Sequence, residues 1–253
     1  MVAISNLISS LIVASASQSP LLTQLNSVSD VLSHCDISHD IGRLNLAPIN
    51  GAFTPPTIAP TFIGLAFGVQ NYTCSPNNNF TNVGAVAQLY DVSCNVNATR
   101  FETMQIPLFA SWNATQDTSI QEIIEGLHNL NPPNILAQHY FIQNPTTGQG
   151  LSPKWDFTSS GNPKFVGNKD AFIVVKGKGS VAAPNTKVDV NWLDVVNIGG
   201  DQGGQIADEV FRTDTVGGQP PATCEHGKSE DISVKYTSKY WFFGGKLGGP
   251  ESS

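Results

Sequence analysis

The chain has 253 residues with 40% hydrophobic content, enough to bury a substantial core, while its 13% of charged residues is about half the roughly 25% of an ordinary globular domain. A formal net charge of -7 argues against electrostatic capture of nucleic acid or of an anionic membrane, since both repel an acidic surface. With 23 Gly and 16 Pro, the composition calls for many turns and points to a mainly β protein.

Residues 1–17 carry the apolar positions Leu7, Ile8, Leu11, Ile12 and Val13, followed by Ala14-Ser15-Ala16. This is the pattern of a secretory signal peptide, without the usual basic start. Residues 18–60 follow. Leu21, Leu25, Val28 and Leu32 form a short helical stripe, and Pro48, Pro55, Pro56 and Pro60 then make an extended connector with no packed element.

Residues 62–74 (FIGLAFGVQNYTC) read as a buried strand, and 85–94 (AVAQLYDVSC) as its successor. A further strand is expected over 103–112. Thr118 and Gln121 make a capping box for a helix in which Ile120, Ile123, Ile124, Leu127 and Leu130 keep helical spacing, up to the Asn-Pro-Pro at 131–133. Strand resumes over 135–142, which carries His139. The polar passage 143–168 reads as a loop holding Trp155 and Asp156, and 171–175 as a short buried strand.

Residues 188–196 alternate as a strand, and Gly199, Gly200, Gly203 and Gly204 supply a hairpin connection. Arg212 and Asp214 share a face with Val210 and Val216, the placing of a structural ion pair at a sheet margin. The clearest alternation is in 232–243. Ile232, Val234, Tyr236, Ser238, Tyr240 and Phe242 fall on one side, and Trp241 and Phe243 demand cover on the other. Residues 244–253 form a polar tail. The expected architecture is a single antiparallel β-sandwich or barrel over 61–243 with one packed helix and no membrane span.

Four Asn-x-Thr acceptors, at Asn71, Asn79, Asn97 and Asn113, together with the signal pattern predict a secreted glycoprotein. Asn71 conflicts with its surroundings: it shares a face with Ile63, Leu65, Phe67 and Val69, whereas a glycan requires exposure. Either a bulge changes the register or the acceptor is unused. The four cysteines, Cys35, Cys74, Cys94 and Cys224, admit three pairings in an oxidising compartment and are too widely spaced for a metal site. If 62–74 and 85–94 form a hairpin, Cys74 and Cys94 lie at opposite ends of the second strand. The preferred pairing is therefore Cys74 with Cys224 and Cys35 with Cys94.

Several blocks together, GVQNYTC (68–74), GAVAQLYDVSC (84–94), His139-Tyr140, SPKWDF (152–157), NWL (191–193), FRTDTVGGQPPATC (211–224) and KYTSKYWFF (235–243), resemble secreted fungal proteins of a domain-of-unknown-function family with bacterial relatives. That family is often labelled malate dehydrogenase. The resemblance implies paired cysteines at Cys74 and Cys224. Its bacterial members join a His-Tyr pair closely to Gly-Pro, a Trp and an acidic residue; here a longer insert separates His139-Tyr140 from Trp155-Asp156, and Ser152-Pro153 replaces Gly-Pro. The dehydrogenase label has no counterpart in the residues, because the chain has only Arg43, Arg100 and Arg212 and no nucleotide-binding β-α-β fingerprint. No cofactor is expected.

Function divides three ways. The first is binding of an extracellular ligand, a cell-wall glycan stacked on Trp155 or Trp112 or a small apolar molecule in a pocket. The second is a hydrolase or lyase with His139 as general base and Asp156 or Asp91 as its partner. The third is a structural protein of a wall or matrix.

Overall fold

The computed structural model describes residues 35–49, 52–115, 118–130, 134–158 and 165–248. The expected signal peptide and the helical stripe of residues 18–32 lie outside the described residues. Eight strands, β1 (Pro60–Cys74), β2 (Phe80–Asp91), β3 (Ile135–Gln143), β4 (Leu151–Asp156), β5 (Phe172–Val181), β6 (Trp192–Asn197), β7 (Glu209–Gly217) and β8 (Ile232–Phe243), succeed one another in space as in sequence. Every neighbouring pair is antiparallel, and β8 returns to β1 to close a barrel.

Alternation along each strand separates a lumen from an outer wall. On β1, Ala66 belongs to the lumen, while Ile63, Leu65, Phe67 and Val69 belong to the wall. Gly64 lies opposite Tyr240 and Gly68 opposite Tyr236, so the smallest residues of β1 face the bulky phenols of β8. The wall is apolar because it is covered. Ile37, Leu44, Leu46, Ile49 and Phe53, all N-terminal to β1, pack with Tyr90, Phe211, Trp241 and Phe243 in one buried cluster. The proline-rich connector is thus packed, contrary to expectation: the apolar residues between its prolines dock on the wall, with Phe53 edge-on to Phe211 at 5.7 Å.

Among the described residues two α-helices rather than one complete this cover, α1 (Gln105–Ala114) and α2 (Ile120–Leu130). Helix α1 replaces the strand expected over 103–112. Pro107 sits in its first turn, where no amide hydrogen is needed. Leu108 and Trp112, one turn apart, face inward, while Ile106 is 52% exposed. Apolar residues on both sides of α1 had hidden its helical stripe. Helix α2 does open on a capping box, one residue later than expected: Ser119 Oγ accepts from the Glu122 amide (3.2 Å), and Glu122 Oε2 accepts from the Ser119 amide (2.7 Å).

Strand β4 was also unforeseen and lies within the passage read as a loop. Residues 188–191 precede β6, which begins at Trp192. A bulge in β7 between Thr213 and Val216 separates the anticipated Arg212–Asp214 pair. Asp214, at φ 52°, bonds Lys239 Nζ instead (3.2 Å).

The disulfides are Cys35–Cys94 and Cys74–Cys224, one at each end of the barrel. Cys74 pairs with Phe80 at the start of β2, and Cys94 lies past its end, so a Cys74–Cys94 bridge would have to span the strand. Asn79, Asn97 and Asn113 are exposed. Asn71 is half-buried beside a bulge, and its Oδ1 accepts from Ser233 Oγ (2.8 Å). It belongs to the covered wall, at the point where that cover gives out. None of the described helices is long and apolar enough to cross a membrane.

Candidate functional site

Strands β3 and β4 carry the residues singled out from sequence, and the ladder sends them to opposite sides of the sheet. Gln138 pairs with Asp156 and His139 with Trp155. His139 and Trp155 therefore point into the lumen, and Asp156 points outward. No acid–base pair forms between them.

On the outer side Asp156 is fully engaged. It accepts from Tyr140 Oη (2.7 Å), from Lys154 Nζ (3.0 Å) and from the Thr158 hydroxyl (2.6 Å). Burial alone would raise its pKa, but the bonds from Thr158, Tyr140 and Lys154 outweigh burial and hold the carboxyl below its ordinary range. Lys154 also lies 4.7 Å from the Phe172 ring centre. The cluster fastens β3, β4 and β5 together. Asp91, the other acid considered, bonds the Ser93 amide at the turn after β2 (2.9 Å).

Inside, His139 is 3% exposed and stacks on Trp155 with ring centres 4.3 Å apart and planes inclined by 11°. Its Nδ1 donates to the Lys154 carbonyl (2.9 Å), which leaves Nε2 as an acceptor. Burial, reinforced by the charge of Arg212 and opposed by the Lys154 carbonyl, pushes its pKa down to about 3. So weak a base is poorly matched to proton abstraction near neutrality.

Neither expected stacking platform is available at the surface. Trp155 is enclosed by His139, Tyr240 and Phe242. Trp112 is fully buried, donates its indole N–H to the Gly68 carbonyl (2.8 Å) and anchors α1 to β1. Lys235 lies over its ring at 4.2 Å and bonds the Trp112 carbonyl, capping the C-terminal end of α1.

Around the stacked pair the lumen is unusually polar. Tyr236 and Tyr240 join hydroxyls at 3.0 Å, and burial drives the Tyr236 pKa well up. Gln70, 4% exposed, accepts from Asn82 Nδ2 (3.1 Å) through Oε1, but its Nε2 completes no hydrogen bond. Trp155 Nε1 is likewise buried without a partner. Arg212, 7% exposed, comes from the inward face of β7 and gives Nε and Nη2 to a single carbonyl, that of Asn191 (3.1 and 2.7 Å). Its charge is felt at His139, Tyr72 and Tyr236. No carboxylate among the described residues pairs with it.

The two ends of the lumen differ. At the end carrying Cys35–Cys94, fully buried Phe157, Phe165 and Phe242 close it. At the end carrying Cys74–Cys224, the inward positions Phe141, Pro153, Leu193 and Val234 are only half-buried. Beyond the closed end an open polar cleft of about 880 Å³ runs between the β4–β5 and β6–β7 connections, bordered by Lys169, Asp170, Phe172, Asp201, Gln205 and Lys246. Gly204 in its wall requires φ 73°, and a Cβ there would fall 2.0 Å from the Phe172 carbonyl oxygen.

Arg212, Gln70, Tyr236 and Tyr240 were not foreseen as site residues. The alternation of 232–243 does place both tyrosines on one face, and Val210 marks the face of Arg212. Among the described residues, no group of three or more His, Cys, Asp or Glu side chains is placed to hold a metal ion.

A family model described as "Protein of unknown function (DUF3455)" matches residues 55–244, from the connector before β1 through the end of β8. No curated protein and no solved structure matches the chain.

Proposed function

The chain belongs to the DUF3455 family, whose description assigns no chemistry, and from the barrel itself we propose that it is an extracellular glycoprotein that binds a small molecule in its lumen. Two disulfides and the absence of a membrane-crossing helix among the described residues are compatible with that location. One observation carries the binding role: a lumen sealed by phenylalanines at one end and lined at the other by half-exposed apolar side chains, above buried polar groups with unused donors. An eight-stranded barrel has room for either its own side chains or one small ligand. Buried donors left unpaired cost free energy that a ligand acceptor recovers.

The test is native mass spectrometry of the full chain made in a secretory host, followed by titration with a small-molecule library monitored through tryptophan emission. Binding should alter emission in the wild type and much less in Trp155→Phe. If no adduct or emission change appears with any compound, the lumen is only a packed core and the structural reading gains.

A second reading, glycan binding, draws on the cleft, which the half-buried Asp170 and the exposed Asp201 border beside the half-buried Phe172. Retention on wall polysaccharide that Asp170→Ala and Asp201→Ala abolish would favour it. The hydrolase or lyase reading has no comparable support, because His139 and Asp156 lie on opposite sides of the sheet.

A further inference from the structure

We infer that the ligand of the lumen carries a carboxylate, held end-on by the guanidinium of Arg212, with an apolar body toward Phe141, Pro153, Leu193 and Val234. This inference rests on the lumen being a binding site at all.

The first ground is charge. A buried guanidinium is costly unless it is paired, and Arg212 has no carboxylate partner among the described residues. Two of its nitrogens are spent on one neutral carbonyl. The second ground is geometry. Because Nε and Nη2 bond Asn191 on one side of the fork, the remaining hydrogens of Nη1 and Nη2 form the opposite, end-on edge, which matches the two oxygens of a carboxylate.

The third ground is the character of the neighbours. Trp155 Nε1 is a further N–H donor without an acceptor, on a side chain more than nine-tenths buried, and Gln70 Nε2, equally buried, completes no full hydrogen bond and has the Tyr236 hydroxyl beside it. The hydroxyls of Tyr72 and Tyr236 stay protonated, because burial raises both, with the Tyr72 hydrogen spent on the Gly218 carbonyl (2.8 Å) and Tyr236 joined to Tyr240. His139 is neutral and contributes no charge. Among the described residues the lumen therefore offers one positive charge and the unspent Trp155 N–H, with no carboxylate paired to Arg212. At the half-open end the inward residues are apolar, so the acid group enters first and an aliphatic or aromatic body follows.

Calorimetric titration of the full disulfide-bonded chain at pH 7 should compare acids with their neutral amides: phenylacetate with phenylacetamide, and hexanoate with hexanamide. The acids should bind about ten- to a hundredfold tighter, the scale of a charge-assisted hydrogen-bonded pair. Arg212→Lys, which keeps the charge and loses the fork, should remove most of that preference, provided its circular dichroism matches the wild type. Equal binding of acid and amide in the wild type overturns the carboxylate inference and leaves the lumen as a binding site. If neither member of either pair binds while other library compounds change Trp155 emission, the carboxylate inference again fails alone. Silence from every compound removes both.

Discussion

The indole of Trp112 on α1 donates its only hydrogen to the carbonyl of Gly68 on β1, 2.8 Å away, at a point where β1 has no side chain of its own. Helix and barrel are joined there by one buried polar contact inside an apolar cluster. Trp112→Phe keeps the ring packing and loses the bond, so unfolding in urea should require about 1–3 kcal/mol less. Gly68→Ala should cost at least as much, because its Cβ would lie 2.1 Å from the Val86 carbonyl oxygen and 2.5 Å from the Ala87 Cβ.

His139 gives the protein an acid-sensitive term. The unfolded chain takes up this proton below about pH 6.5, whereas the folded chain does so only at about 3. Unfolding therefore binds a proton throughout that window, and stability falls as the pH drops through it, by up to about 1.4 kcal/mol per pH unit from this group. Denaturant midpoints measured at pH 7 and pH 4 should converge in His139→Gln. An undiminished difference would place the acid sensitivity elsewhere.

Asp194 acts in the opposite direction. Burial first, and then the neighbouring Glu209 carboxyl, push its pKa up to about 6 against the pull of Lys178, whose Nζ is 3.2 Å away. The folded chain now holds the extra proton between about pH 4 and 6. Its contribution is present at low pH and fades as pH rises through that interval. Asp194→Asn should raise stability at pH 7 relative to wild type and change it little at pH 4. A uniform loss at both would mean that the amide cannot replace the acid in its bonds to Glu209 and Lys178.

Each disulfide ties one end of the barrel, closing loops of 59 and 150 residues in sequence separation. Replacing Cys74 and Cys224 together by alanine should lower stability by about 2–5 kcal/mol. The β7–β8 connection should then become the first site cut in limited proteolysis, since Cys224 holds it against the turn at Asn78.

In a secretory host, Asn79, Asn97 and Asn113 should carry glycans and Asn71 should not, because its amide oxygen is engaged by Ser233. Glycosidase treatment followed by peptide mass mapping decides this. Occupancy at Asn71, or an unmodified secreted chain, would contradict it.

Strand β8 was plain in the sequence because its lumen face and wall face alternate without interruption from Ile232 to Phe242. Strand β4 was hidden because Ser152 and Lys154 flank a proline that cannot donate to a ladder, and only pairing with β3 and β5 turns the segment into a strand. Helix α1 shows no stripe because apolar residues such as Ile106 occupy its exposed side as well as its buried one, and local periodicity cannot report what will cover a segment. Arg212 was misread for a related reason: the bulge after Thr213 breaks the period of two that would have kept it beside Asp214. The buried tryptophans illustrate the same limit. Trp155 sits among polar neighbours in sequence, yet closure of the sheet, a property of residues far apart in the chain, encloses it.

Closure of β8 onto β1 has a further consequence. Among the described strands none is left with a free edge, so another polypeptide cannot extend this sheet by adding itself as a ninth strand, and the barrel closes one common route to fibrils. Whatever docks on the barrel must recognise its loops or its side chains rather than the backbone of its strands.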